Sequence, residues 1–407
     1  MKRVLIVGAG IGGLTAAITL ERLGVAVEIV ERAPSFRALG AGITIQPNAT
    51  AVLDALGVTL PADDVWPMGK VAMLDARGRP LAANDDVSEG SPFPSYSVRR
   101  PDLHEALRAA ASGVELRLGV EVVGVRPRPG EGVEVELASG ARERWDLVIG
   151  ADGVHSTVRA AIAPPESRRL RYSGQTCWRL SIDAPDLVPE TTIERWIPGR
   201  RIGVVPLSRG GIYVFLVESA PQGSVAPGSD DVAPLRRRFA AFDPRLDAIL
   251  ERVEAQGIPV HHGDLLDHER LDYGRDRVLL LGDAAHAMTP NMGQGAAMAI
   301  EDAAALGLLW GEVSLDELPA ALAARRLARV AAIHRRSWRI GQVAHWRGKI
   351  RCALRDLLLR LTPKSVTRRA IRDTWTPGIE LSDALRAKLA RDRGRAVEVS
   401  TTSATDA

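Results

Sequence analysis

The chain has 407 residues, 46% hydrophobic and 25% charged, which supplies a packed interior and exceeds the usual size of a single core. Its formal charge of +3 is small for this length, although the Lys/Arg excess gives a pI near 9.0, so composition argues little for a polyanionic partner. Two cysteines, Cys177 and Cys352, with no CxxC and no histidine cluster, argue against a disulfide framework or a metal site, and no apolar run reaches the roughly 18 residues of a membrane span.

The opening MKRVLIVGAGIGGL has the outline of a secretory leader, but its glycine spacing points to a folded unit instead. Val4 to Val7 reads as a strand, Leu14 to Leu23 as an amphipathic helix ending at Gly24, and Val25 to Glu31 as the next strand. This strand, turn, helix, strand unit requires parallel strands and sets the fold class as α/β. Arg100 to Leu107 reads as a helix with Pro101 in its first turn. Val114 to Val125 and Val133 to Leu137 read as antiparallel ribbons, and Trp145 to Gly150 as a buried strand. From Tyr172 to Ser219, short strands separated by turn residues predict an antiparallel sheet inserted into the first domain. Val278 to Leu281 returns to the parallel pattern, Gly295 begins a long helix, and Ala320 to Lys349 and Arg351 to Leu361 are helical. The polar segment after Arg395 predicts a tail without fixed structure.

Gly8, Gly10, Gly12 and Gly13 form GxGxxG between a strand and a helix, with Glu31 closing the second strand beside Arg32. Such glycines permit a tight turn, close approach to a pyrophosphate and close helix–strand packing, and Glu31 suits the ribose hydroxyls of an adenosine. The fingerprint alone leaves NAD and FAD both open. Arg277 to His286, containing Gly282 and Asp283, resembles the Gly-Asp motif of flavoprotein monooxygenases of the para-hydroxybenzoate hydroxylase type. Asp146 to Arg159, containing Asp152 and Gly153, resembles the same family's Asp-Gly motif, and the Arg100 helix resembles its flavin-contacting arginine helix. The motifs stand in the family's order, and the resemblance spans residues 1 to 380.

The resemblance implies a Rossmann-like FAD-binding domain (1–170 and 265–345), an inserted antiparallel β-sheet substrate domain (171–264), C-terminal helices (346–394) and a tail (395–407). It places Asp283 on the ribityl chain, Asp152 and Gly153 near the pyrophosphate, and Gly42, Arg100 and Val122 among the FAD contacts. Pro290, Gly293, Gln294 and Gly295 form a loop entering a helix, whose free N–H groups suit the negative charge of a reduced flavin. Arg37 suits a phosphate or the surface equally, and His286 an acid–base role or a structural one.

By resemblance, NADPH or NADH reduces FAD, dioxygen adds to the flavin, and the resulting C4a-hydroperoxide hydroxylates or epoxidises a small electron-rich aromatic molecule. The single dinucleotide fingerprint counts against a two-dinucleotide reductase. Arg201 and Tyr213 resemble the substrate-holding pair of the urate hydroxylase and salicylate hydroxylase-like branch, although a strand edge would also account for Arg201 and a core position for Tyr213. A reductase of the geranylgeranyl reductase type, without oxygen insertion, and a flavin-containing ligand sensor are the alternatives. The arginines from Arg325 to Arg339 fit amphipathic packing with snorkelled side chains better than nucleic acid, since no aromatic platform accompanies them. The expected setting is a cytoplasmic monomer or homodimer with a small-molecule substrate.

Overall fold

The computed structural model describes residues 2–36, 41–84, 88–128, 130–224 and 232–405. Among these, the central layer is a six-stranded sheet in the order Gly274–Arg275, Val278–Leu280, Leu147–Gly150, Arg3–Val7, Ala26–Glu31 and Glu115–Leu118. All neighbours are parallel except the Gly274–Arg275 edge. Its three middle strands carry continuous aliphatic runs because both faces are covered, and Leu5, Ile149 and Leu279 are fully buried. Val7, Gly150 and Leu280 lie in one register row, so the loops that follow them leave from the same carboxyl edge.

The segment from 114 to 125, read as one antiparallel ribbon, divides. Glu115–Leu118 joins the central sheet in parallel with Ala26–Glu31, and only Val122–Arg128 enters the antiparallel ribbon with Gly132–Leu137 and Arg142–Trp145. Alternation alone does not tell a sheet edge from a ribbon.

The second sheet has seven strands in the order His261–His268, Leu170–Asp183, Gly211–Ser219, Arg200–Pro206, Thr192–Ile197, Val71–Asp75 and Pro80–Asn84. The last two come from outside the inserted segment, and Val71–Asp75 pairs in parallel with Thr192–Ile197. Alternation sorts the faces: Trp178, Leu180, Ile202, Val204, Ile212 and Val214 pack against helices Val232–Phe239 and Pro244–Gln256. The opposite face carries Arg179, Arg201 and Tyr213, fixed by the cross-strand pairs Arg179↔Phe215, Arg201↔Val217 and Ser181↔Tyr213. A small sheet of Gly42–Ile45, Tyr96–Arg99 and Val65–Pro67 joins the two large ones.

Helices Gly295–Leu309, Leu318–Ala344, Lys349–Leu361 and Lys364–Thr405 complete the chain. The last runs through the segment expected to be an unstructured tail, its backbone helical to Thr405. Arg37 and Gly40 lie outside the described residues.

Candidate functional site

The first loop at the carboxyl edge is the glycine turn. Gly8 has φ +103, and a Cβ there would fall 2.6 Å from the Ala151 carbonyl oxygen; a Cβ on Gly13 would fall 2.0 Å from the Gly8 carbonyl oxygen. These two positions admit only glycine because backbone occupies the space. A Cβ on Gly10, by contrast, would have nothing within 4 Å, and helix Ile11–Arg22 starts there without a side-chain cap, so its first N–H groups face open space. Glu31 accepts from Ala9 N at 3.0 Å and Ala33 N at 2.9 Å, bracing the turn, while Arg32 beside it is exposed. His104, one turn after the exposed Arg100, places Nε2 2.6 Å from the Ala9 carbonyl oxygen. Sequence reading missed His104; its position on the same helix face as Arg100 was the available signal.

The second and third loops meet the first. Gly8 abuts Ala151 and Asp152, and Ala299 lies against both Gly12 and Gly282. Asp152 accepts from Ser156 Oγ at 2.5 Å and Val158 N at 3.2 Å; burial pushes its carboxyl above the usual range, and these bonds oppose that shift. Gly153 (φ +84) leaves its surroundings open. Arg159, buried, donates to the carbonyls of Ser167 (2.9 Å), Ala284 (2.9 Å), Ala285 (2.8 Å) and Arg270 (2.5 Å), tying this loop to the Asp283 turn. Asp283 itself is exposed.

Pro290, exposed, opens the fourth loop, which ends at Gly295, the uncapped start of helix Gly295–Leu309, where a Cβ would have nothing within 4 Å. At Gly293 a Cβ would strike Thr44 Oγ1 at 2.8 Å. The Gln294 side chain turns inward, donating to Gln46 Oε1 at 2.6 Å and accepting from Asn48 Nδ2 at 2.8 Å, so only its backbone is left to the open side. Val122 likewise buries its side chain in the main core.

Behind these loops lies a buried charge cluster. Arg326 donates to Glu301 Oε2 at 2.7 Å and Asp302 Oδ1 at 2.8 Å, and Arg329 to Glu301 Oε1 at 2.8 Å. Asp302 also takes Tyr273 OH at 3.1 Å and Gly282 N at 3.2 Å, with His286 Nε2 2.5 Å away. His286 is fully buried inside this cluster, which makes it structural. Arg326 and Arg329 do not snorkel to water; they neutralise two carboxylates beneath the Gly282 turn.

Beside the second sheet, Gly42 links the two halves, since a Cβ there would fall 2.7 Å from Tyr213 Cβ and 2.9 Å from Leu207 Cδ2. Arg179 shares a sheet face with Tyr213, and burial pushes the Tyr213 hydroxyl up to about 12 despite the opposing charge of that guanidinium. Arg201 is buried, with Nε 3.6 Å from Glu194 Oε1 and no hydrogen-bond acceptor; Ser181 Oγ, Tyr213's cross-strand neighbour, is also buried without a partner. Neither Arg201 nor Tyr213 is therefore a strand edge or plain core. Arg179 was not read as a site residue; its register with the same face as Tyr213 was the signal.

The arrangement suits a flavin dinucleotide: an open pyrophosphate approach at Gly10, an exposed carboxylate at Asp283, and a second uncapped helix at Gly295, along one edge that ends at Gly42 and Tyr213. The FAD binding domain family matches residues 1–336. The chain is 38% identical over 368 residues to the aurachin C monooxygenase/isomerase of Stigmatella aurantiaca, covering 88% of this chain and 94% of that protein. It is 34% identical over 375 residues to the 2-heptyl-3-hydroxy-4(1H)-quinolone synthase of Pseudomonas aeruginosa, covering 90% and 96%. Klebsiella pneumoniae HpxO, solved with FAD and uric acid, superposes with a TM-score of 0.81 at 26% identity, covering 92% of this chain and 96% of that one. A tetrameric 2-methyl-3-hydroxypyridine-5-carboxylic acid oxygenase gives 0.72 at 26% identity, covering 90% and 96%. Motif order, loop geometry and these likenesses agree, and the chain belongs to the FAD binding domain family, among the class A FAD-dependent aromatic monooxygenases.

Proposed function

We propose that this FAD-dependent monooxygenase hydroxylates a heteroaromatic ring that carries an oxygen substituent, of the 4-quinolone class. The observation that carries the reading is the buried Nε of Arg201, held by an ion pair to Glu194 but without a hydrogen-bond acceptor, on the sheet face shared with Tyr213 and Arg179. A buried donor without an acceptor is costly, and a substrate oxygen relieves it. The relative named for 2-heptyl-3-hydroxy-4(1H)-quinolone supports the ring class.

In this reading Gly8, Gly10, Gly12 and Gly13 would hold the pyrophosphate of FAD, with Asp152 and Gly153 near by. Glu31 retains lone pairs for the adenosine ribose beyond its two backbone bonds. Asp283 would hold the ribityl hydroxyls, and the backbone N–H groups of Gln294 and Gly295 would favour the negative charge of a reduced flavin. When bound and reduced by NADPH or NADH, FAD with dioxygen supplies an electrophilic oxygen atom. The protein's own contribution is electrostatic. The Tyr213 hydroxyl, kept protonated by burial, can donate to a substrate oxygen, and the Arg201 guanidinium favours the deprotonated, electron-rich form of the substrate that an electrophilic oxygen attacks. The partners are the small substrate and the nicotinamide, without nucleic acid, for a cytoplasmic monomer or homodimer.

The test is oxidation of NADPH and NADH by the purified yellow protein with 4-quinolones, phenols and purines, recording oxygen uptake and product mass. A quinolone that accelerates oxidation and gains about 16 mass units meets the expectation for insertion of one oxygen atom; flavin reduction without oxygenation of any compound returns the function to a reductase. Arg201→Met should raise KM for such a substrate roughly 10- to 100-fold, the worth of a lost charged hydrogen bond. Tyr213→Phe should lower kcat while leaving the pH profile between about 6 and 10 unchanged in shape, because a hydroxyl pushed up to about 12 stays protonated throughout that window. A Tyr213→Phe profile that loses a basic limb within that window overturns the assignment.

A further inference from the structure

Helix Lys349–Leu361 has two faces of opposite character. Cys352 and Arg355 are buried, and Leu359 packs on the cluster of Leu81, Trp196 and Ala344. Arg355 donates to the Ala344 carbonyl at 2.9 Å and lies 5.5 Å from the Trp196 ring. The outward face holds Ile350, Leu354, Leu357, Leu358 and Leu361, all at least half exposed, with Ile350 at 86% and Leu361 at 68%. Their spacing puts all five on one stripe about a third of the circumference wide. Val366, at 54% exposure, extends the apolar surface past the end of the helix.

The stripe is bordered by cations. Lys349 and Arg351 are exposed on its two sides. The helix's one acidic residue, Asp356, is turned inward and taken by Arg355 Nε at 2.8 Å. We infer that this helix docks on an anionic lipid surface, lying in the plane of the interface with its aliphatic stripe among the acyl chains and Lys349 and Arg351 at the headgroups. Charge decides between occupants. A second copy stacked stripe to stripe would bring Lys349 and Arg351 of both copies together, which disfavours association; an anionic bilayer complements both the stripe and these two cations. No helix among the described residues is long and apolar enough to cross a membrane, so the attachment is peripheral. Trp196, on which the helix rests, is the cross-strand neighbour of Arg201, so docking holds the substrate sheet close to the bilayer.

The experiment is flotation of the FAD-loaded protein with vesicles of phosphatidylcholine alone and of phosphatidylcholine with about a quarter phosphatidylglycerol. The expected result is binding to the anionic vesicles that weakens with salt and falls roughly tenfold or more in Leu354→Glu/Leu358→Glu and in Lys349→Glu/Arg351→Glu. Flavin content reports that each variant is folded, and the charge-reversal pair leaves the apolar stripe intact. The readout needs no substrate and stands apart from the quinolone assignment. Failure of the wild type to float with either vesicle overturns the inference, as does equal flotation of the Leu354→Glu/Leu358→Glu variant. Light scattering that shows a dimer dissolved by that variant, with no flotation, assigns the stripe to a second copy instead.

Discussion

Arg326→Met is expected to cost the folded protein about 3–5 kcal/mol, the penalty of stranding buried charge. The guanidinium bridges Glu301 and Asp302, both fully buried, and nothing apolar can replace its bonds to both. Because Asp302 also holds Gly282 N and His286, the loss spreads to the turn that presents Asp283, and flavin content should fall with stability. Arg325→Met, at the exposed neighbouring position, should stay within about 0.5 kcal/mol in the same urea titration. A variant at 326 that melts like the one at 325 would show that the cluster is dispensable.

The same cluster sets a pH dependence. Burial pushes Glu301 and Asp302 upward, but Arg326, with Arg329 for Glu301 and His286 for Asp302, outweighs it and holds both carboxyls below their usual range. Groups depressed in the folded state stabilise it above the unfolded carboxyl value of about 4 and lose that contribution as pH falls through the folded value. With Arg326 gone, burial meets less opposition and the carboxylates become a liability when charged. The deficit of Arg326→Met should therefore be largest near neutral pH and shrink towards about pH 4, which melts across pH will check.

Gly10→Ala and Gly13→Ala are expected to separate flavin binding from folding. A methyl at Gly13 would lie 2.0 Å from the Gly8 carbonyl oxygen, so the helix must move away from the turn; a methyl at Gly10 touches nothing within 4 Å. Gly13→Ala should destabilise the apoprotein by about 1–3 kcal/mol or more and lose FAD. Gly10→Ala should leave the apoprotein melt close to wild type yet weaken FAD binding by about tenfold or more, equivalent to 1.4 kcal/mol, by filling the pyrophosphate approach. Thermal melts of the apo forms and flavin titration check both; a Gly10→Ala protein that binds FAD normally would remove the pyrophosphate from this end of the helix.

Local sequence was informative where a short segment carries its own constraint. The glycine turn, its two strands and the helix between them follow from backbone space and aliphatic runs, and the Asp152 and Asp283 loops from motifs on strands buried on both faces. The short strands and turn residues from Tyr172 to Ser219 disclosed an antiparallel sheet. What lay beyond reach were relations between distant segments. Val71–Asp75 enters the second sheet only because Thr192–Ile197 offers it an edge, and Glu115–Leu118 leaves the expected ribbon for the central sheet for the same kind of reason. His104 reaches Ala9 from a distant part of the chain, and Arg179 meets Tyr213 only through the pairing of two strands. The arginines of helix Leu318–Ala344 looked alike in sequence, yet two of them neutralise Glu301 and Asp302 while Arg325, Arg335, Arg336 and Arg339 face water. The parallel strands of the glycine-turn unit, the cofactor fingerprint and the reaction class were thus carried by residues close together in the chain; the charge cluster beneath the Gly282 turn, the Arg201 and Tyr213 face opposite Gly42, and the exposed stripe of Lys349–Leu361 arose only when packing chose which side of each element water would see.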